Sequence, residues 1–140
     1  MAGLSDDDRE LWEAWKRAAD GIRGRINAEI TAETGLSETD VTVLTHLHDG
    51  GGSARQNELA TLMGWQRSRL SHHLTRMQDR GLVTRTPVAG GMQVRASTMG
   101  RAALLQARPV HAAAVRRHLL DGVPPRDRVR LLSLLRMLAD

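Results

Sequence analysis

The chain has no cysteine, no phenylalanine, no tyrosine and a single lysine, Lys16. Without thiols, disulfides, thiolate redox sensing and thiolate metal sites are excluded. With Trp12, Trp15 and Trp65 as the whole aromatic complement, packing falls to Leu, Val, Ile, Met and Ala, a set that favours helices. No apolar run approaches the length of a membrane span. The first residues, Met1 to Asp8, are acidic and lack the basic and apolar regions of a secretory signal, so a cytoplasmic location and no membrane partner are expected. No nucleophile motif, phosphate loop or paired-carboxylate signature stands out, so neither an enzyme nor a cofactor is expected.

What is present is a chain of 140 residues, the size of one domain or of one compact unit with extensions. Its formal charge is +4, carried almost wholly by arginine. A basic balance points to a polyanionic partner, although arginine in place of lysine also fits a GC-rich genome.

Helix signals run through most of the chain. Ser5 before Asp6-Asp7-Asp8 is a cap followed by acids at the positive end of a helix dipole. Leu11, Trp15, Ala18, Ile22, Ile26 and Ile30 continue one stripe to Gly35. Ser37-Glu38-Thr39-Asp40 resembles a capping box and opens a second helix with Val41, Leu44 and Leu47, ending at Gly50-Gly51-Gly52. Gln56 to Met63 reads as a short third helix, and Gly64 as a turn. Two extended runs, Leu82 to Arg85 and Gln93 to Ala96, separated by Pro87 and Gly90-Gly91, read as a hairpin. Ser97 or Thr98 caps a fifth helix reaching about Leu120, with an expected kink at Pro109. After Pro124-Pro125 a last helix carries Val129, Leu132, Leu135 and Leu138.

The fourth helix is the most informative. After Gly64-Trp65 it places Leu70, Leu74 and Met77 on one face and Ser68, Arg69, Ser71, His72, Thr75 and Arg76 on the other, and Gly81 stops it. An apolar stripe backed by arginine and small hydroxyls suits the DNA major groove, where arginine forks reach guanine edges or phosphates and hydroxyls reach phosphate oxygens. Helix, turn, helix and hairpin together make a winged helix. The fold class is therefore mainly α with a small β-hairpin wing, a winged helix-turn-helix plus terminal dimerisation helices. The expected parts are a dimerisation helix over 1–35, a DNA-binding lobe over 36–97, and dimerisation helices over 98–140. The apolar stripes of the terminal helices exceed what so small a lobe covers, so a two-fold homodimer is expected.

These residues resemble the multiple antibiotic resistance regulator (MarR) family over nearly the whole chain. The resemblance is carried by Asn57-Glu58-Leu59-Ala60 through Gly64-Trp65, by Arg67 through Leu74, by Arg80-Gly81-Leu82-Val83 with Arg85, and by Thr98-Met99-Gly100. It implies a homodimer joined by its terminal helices, a recognition helix in the major groove, and often repression relieved by a small aromatic or phenolic ligand. The family's wing commonly carries Asp-x-Arg at its tip, and that arginine enters the minor groove. Here the tip, Pro87 to Met92, has no charge, which removes the expected minor-groove contact and leaves Arg85 and Arg95 on the flanking strands for phosphate.

The candidate DNA-binding residues are accordingly Gln66, Arg67, Ser68, Arg69, Ser71, His72, Arg76, Arg85 and Arg95. Arg69 and His72 project best toward base edges, Ser68, Ser71 and Arg76 toward backbone, and Gln66 stands at the cap position. His73 is expected to pack inward, and Trp65 to anchor the recognition helix. Trp15 with Arg23, His46 and His48 are candidates for a ligand pocket, against plain dimer packing for Trp12 and Trp15. No metal site is expected: His46/His48 and His111/His118 lack the spacing that brings two ligands to one helical face. The function expected is a repressor of a pseudo-palindromic operator, relieved by a ligand. The alternatives are an architectural protein that coats DNA with little sequence choice, and a regulator with no effector.

Overall fold

The computed structural model describes residues 2–140. In chain order its elements are α1 (Asp6–Thr34), α2 (Glu38–Asp49), β1 (Ser53–Arg55), α3 (Gln56–Met63), α4 (Arg67–Asp79), β2 (Val83–Val88), β3 (Gly91–Ala96), α5 (Thr98–His118), a short 3-10 turn (Leu120–Gly122) and α6 (Pro125–Ala139). They form two compact units. One is Ile30–Pro109; the other comprises the residues up to Glu29 together with Val110–Asp140. The division falls inside α1 and α5.

The unit Ile30–Pro109 holds the core. Val43, Leu44 and Leu47 of α2, Leu59 of α3, and Leu70, Leu74 and Met77 of α4 are fully buried. Their spacing puts one sealed stripe on each helix. α2 starts with a complete capping box: the Asp40 amide donates to Ser37 Oγ (3.1 Å) and the Ser37 amide to Asp40 Oδ2 (2.9 Å). Gly64 stops α3 with φ 66°, and the Trp65 amide returns to the Ala60 carbonyl (2.9 Å). That left-handed residue makes the tight turn into α4.

The sheet is antiparallel with order β1-β3-β2, so the wing has a third strand that the sequence pattern did not reveal. The hairpin strands are also longer than the apolar runs suggested. Pro87 lies within β2, opposite Met92, and the loop shrinks to Ala89-Gly90 between the paired Val88 and Gly91. A proline is tolerated there because β2 is an edge strand. Gly90 takes φ 80°, the left-handed conformation needed at one turn position. Alternation along β3 buries Val94 and Ala96 and turns Gln93 and Arg95 outward.

α5 begins where Ser97 Oγ accepts the Gly100 amide (2.9 Å) and donates to the Gly81 carbonyl. Gly100 is required for steric reasons: a Cβ there would stand 2.0 Å from the Leu82 carbonyl oxygen. α5 runs as one helix through Pro109, where a kink was expected, to His118.

In the second unit, Glu29 of α1 accepts hydrogen bonds from His118 Nε2 (3.0 Å) and from Arg117 of α5. These bonds, His118 first, hold the Glu29 carboxyl below its ordinary pKa. Arg128 of α6 donates to the carbonyls of Leu120 (2.8 Å) and Val123 (3.0 Å), fastening the 3-10 turn to the last helix. Much of this unit's apolar surface is uncovered: Leu11, Val129, Met137 and Leu138 are each more than 70 % exposed. Leu4, Asp8, Leu11, Trp12, Trp15 and Leu138 line an open groove of about 610 Å³. Among the described residues no helix is long and apolar enough to cross a membrane.

Candidate nucleic-acid interface

α4 is held by its buried stripe, with His73 beside it, and presents most of its other residues outward. Leu70, Leu74 and Met77 have no exposed surface, whereas Arg67, Ser68, Arg69, His72, Thr75 and Arg76 are exposed and Ser71 half-buried. Gln66 is the N-cap residue, but its side chain makes no capping bond, and no acid lies in the first turn. The positive end of this helix therefore has no acid of its own first turn to neutralise it.

Arg69 is stacked on Trp65, its guanidinium carbon 3.6 Å from the ring centroid. Trp65 in turn meets His73 edge-on, with ring centroids 6.0 Å apart. His73 packs inward, and it does so as a polar link. Its Nε2 lies 2.9 Å from Asp40 Oδ1, and Arg76 Nη2 lies 3.2 Å from its Nδ1. A neutral ring with the proton on Nε2 satisfies both contacts, donating to the carboxylate and accepting from the guanidinium.

Asp40 is the hub. It has no exposed surface, and besides the Ser37 amide and His73 it accepts from Arg80 Nη1 at 2.7 Å. Arg80 also donates to the Gly35 carbonyl (2.9 Å). Burial alone would raise the Asp40 pKa, but the bonds from Ser37, Arg80 and His73 outweigh it and hold the carboxyl below its usual value. One ionised side chain thus ties the start of α2 to the middle of α4 at His73 and to its C-cap at Arg80. The capping box made Asp40 visible in the sequence. Nothing local marked Arg80, whose partner is 40 residues away.

The two wing arginines expected to hold phosphate lie on opposite faces of the sheet. Arg85 shares the inner face with Val94, its register partner, and is bonded to α4: to Gln78 Oε1 (2.9 Å), Thr75 Oγ1 (2.8 Å) and, more loosely, the Ser71 carbonyl (3.5 Å). Arg95 stands on the outer face opposite Thr84 and Ser53, exposed. Arg55, which the sequence did not single out, ends β1 on that same outer face.

Of the residues considered for a ligand pocket, Trp15 lines the groove beside Trp12, while Arg23, His46 and His48 are not among its walls. His46 is half-buried and His48 exposed near the end of α2. Among the described residues no three metal-ligating side chains come together.

The profile of the MarR family matches residues 34–91. Among solved structures, the chain is similar to AbsC, a MarR family transcriptional regulator from Streptomyces coelicolor, with TM-score 0.88 and 27% identity over 99% of this chain and 96% of that one. It is similar to Sco3205, a MarR family regulator from the same organism solved in complex with DNA, with TM-score 0.87 and 24% identity over 98% and 92%. It also shares the fold of the organohalide-sensing regulator RdhR-CbdbA1625 in its 2,4-dichlorophenol-bound form, with TM-score 0.81 and 18% identity over 99% and 85%. No curated protein matches the sequence. With the sealed helix-turn-helix, the outward face of α4 and the three-stranded wing, these likenesses show that the chain has the winged-helix fold of MarR family transcriptional regulators, and that its residues 34–91 match that family's own profile.

Proposed function

We propose that the protein is a homodimeric repressor that reads a pseudo-palindromic operator with α4 and releases it when a small aromatic ligand binds. The observation that carries this reading is the division of α4 into a sealed apolar face and an open face of Ser68, Arg69, His72 and Arg76. A helix so anchored presents a fixed pattern of donors, as readout of base edges requires. In this account Arg69 and His72 meet base edges, and Arg67, Ser68, Ser71, Arg76 and Arg95 meet the backbone. The uncapped start of α4 at Gln66 faces a phosphate. Arg85 braces the outer face of α4 from the wing.

Dimerisation is supported by the uncovered apolar side chains of α1 and α6. Leu11, Trp12, Trp15, Val129, Met137 and Leu138 are the kind of surface that a second copy covers in an isologous interface. The two α4 helices would then read two half-sites. Ligand response is supported by the 2,4-dichlorophenol-bound structural neighbour and by the tryptophans on this unit. A ligand acts by binding one dimer shape more tightly than another, and a coupling of about 1–3 kcal/mol is usual. Trp15, Arg23, His46 and His48 are the residues to vary when ligand response is tested.

The experiment is selection of bound sequences from a random DNA pool, followed by footprinting of the enriched site. Two protected half-sites about one helical turn apart support the proposal. Even protection with no enriched sequence supports the architectural alternative. A thermal-shift screen of phenolic compounds addresses the effector: no shift with any of them, and no change in operator affinity, favours a regulator without one.

A further inference from the structure

The wing tip carries no charged residue in sequence, yet a guanidinium stands beside it. Arg55 closes β1 and pairs with Gln93, two residues from Gly91 at the start of the hairpin turn. Residues two apart on a strand share a face, so Arg55, Gln93 and Gly91 lie on the outer side of the sheet. The distance from the Gln93 position to the turn is about 6.8 Å along the strand, the span of an extended arginine. Gly91 offers no side chain in the way. Arg55 Nη1 reaches the turn and donates to the Ala89 carbonyl at 2.9 Å.

That bond uses one of the five N–H groups of the fork. Among the described residues no carboxylate pairs with Arg55, and its side chain is exposed. The contrast with Arg80 and Arg85 of this lobe is sharp. Arg80 is bound to Asp40, and Arg85 spends its nitrogens on Gln78, Thr75 and Ser71. Arg95 is exposed on the same face, but lies four residues from Gly91, away from the tip. A second polar group approaches from α3: the Asn57 amide nitrogen is the nearest atom, at 4.0 Å, to where a Gly91 Cβ would stand. The hairpin tip is therefore a small donor surface assembled from β1 and α3 around an uncharged turn.

We propose that Arg55 is the DNA-contacting residue of the wing tip, delivering across the sheet the cation that the turn itself lacks. The proposal rests on the reading of α4 as the DNA-binding helix. The bond to Ala89 holds the guanidinium at the tip before DNA arrives, so less side-chain freedom is lost on contact. The chemistry recognised is the anionic edge of the duplex beyond the half-site, either a phosphate or the electronegative floor of a narrow A·T-rich minor groove.

The test is salt-dependent binding of the full-length protein to the selected operator with A·T-rich or G·C-rich flanks, and to random DNA. Wild type is compared with Arg55→Ala and with Arg55→Ala combined with Ala89→Arg. Ala89 has an ordinary negative φ and is exposed, so it accepts an arginine and restores a tip cation by another route. Arg55→Ala is expected to lower the salt slope by about one per chain, a loss of about fivefold per chain near 0.15 M salt. Ala89→Arg is expected to restore it. An equal loss on all flanks identifies the partner as a phosphate, and a lost preference for A·T-rich flanks identifies the minor groove. An unchanged slope in Arg55→Ala overturns the proposal. So does a loss that Ala89→Arg fails to restore, which would make Arg55 a brace for the turn and nothing more. Failure of the α4 reading shows separately, as a wild type that does not prefer operator to random DNA; the slopes on random DNA then judge Arg55 by the same criterion.

Discussion

Replacing Asp40 by alanine removes three acceptor contacts at once, and their costs differ because their surroundings do. The Ser37 amide loses its half of the capping box, but Ser37 is exposed and water replaces the carboxylate, at about 0.5–1 kcal/mol. Arg80, its side chain 46 % exposed, also turns to water, and its loss is about 0–1 kcal/mol. His73 cannot: its side chain is 11 % exposed, so its Nε2–H is orphaned at about 1–3 kcal/mol. The sum is roughly 1.5–5 kcal/mol for Asp40→Ala. Asp40→Asn is expected to cost only about 1 kcal/mol. Its carbonyl oxygen keeps Ser37 and Arg80, its amide faces His73, and the ring shifts its proton to Nδ1, releasing the exposed Arg76 to solvent. Urea denaturation followed by circular dichroism at fixed protein concentration measures both. The pH dependence carries a sign. The folded-state pKa of Asp40 lies below its unfolded value, so its contribution is fully present above about pH 3.9 and is lost as pH falls through the lower folded value. Wild type is therefore expected to lose its advantage over Asp40→Asn in that acid window and nowhere above it. Equal destabilisation by Asn and Ala, or none by either, would refute the reasoning that an orphaned His73 sets the cost.

Gly100→Ala is expected to cost at least about 2 kcal/mol in the same assay, because its Cβ would meet the Leu82 carbonyl oxygen at 2.0 Å and both are backbone-fixed. Leu11→Glu with Leu138→Glu puts charge into the uncovered face of α1 and α6 and is expected to yield a monomer by sedimentation, with wild type expected to sediment as a dimer. Arg85→Ala is expected to lower stability by about 1 kcal/mol through its lost bonds to Thr75 and Gln78, while leaving the salt slope of DNA binding unchanged. A slope lower by about one would mean that Arg85 leaves α4 for a phosphate when DNA binds.

What the sequence disclosed follows from the range of the interactions involved. α2, α3 and α4 were legible because their signals are local: a capping box at Ser37 and Asp40, a left-handed Gly64, and apolar residues one turn apart. β1 was not, because a three-residue strand is defined by its partner β3, about 40 positions away. The wing strands were read too short because Pro87 suggested a loop, and only its place on an edge strand permits it. The outward residues of α4 were legible from helical periodicity. The second partners of Asp40, the attachment of Arg85 to α4 and the reach of Arg55 to Ala89 were not, since each depends on side chains that the fold alone brings together. Arg69 shows the same limit: its helical position pointed outward, and its stacking on Trp65 emerged only in three dimensions.

The claim that α4 reads sequence is tested most directly by Arg69→Ala, measured side by side on the selected operator and on random DNA at one salt concentration. Arg69 is exposed and stacked on Trp65 outside the core, so the variant keeps the fold, which its urea midpoint verifies. The account expects a loss of roughly 1–3 kcal/mol per half-site on the operator, a much smaller loss on random DNA, and relaxed preference at one base pair in each half-site. Equal losses on the two DNAs, with base preference unchanged, would contradict it.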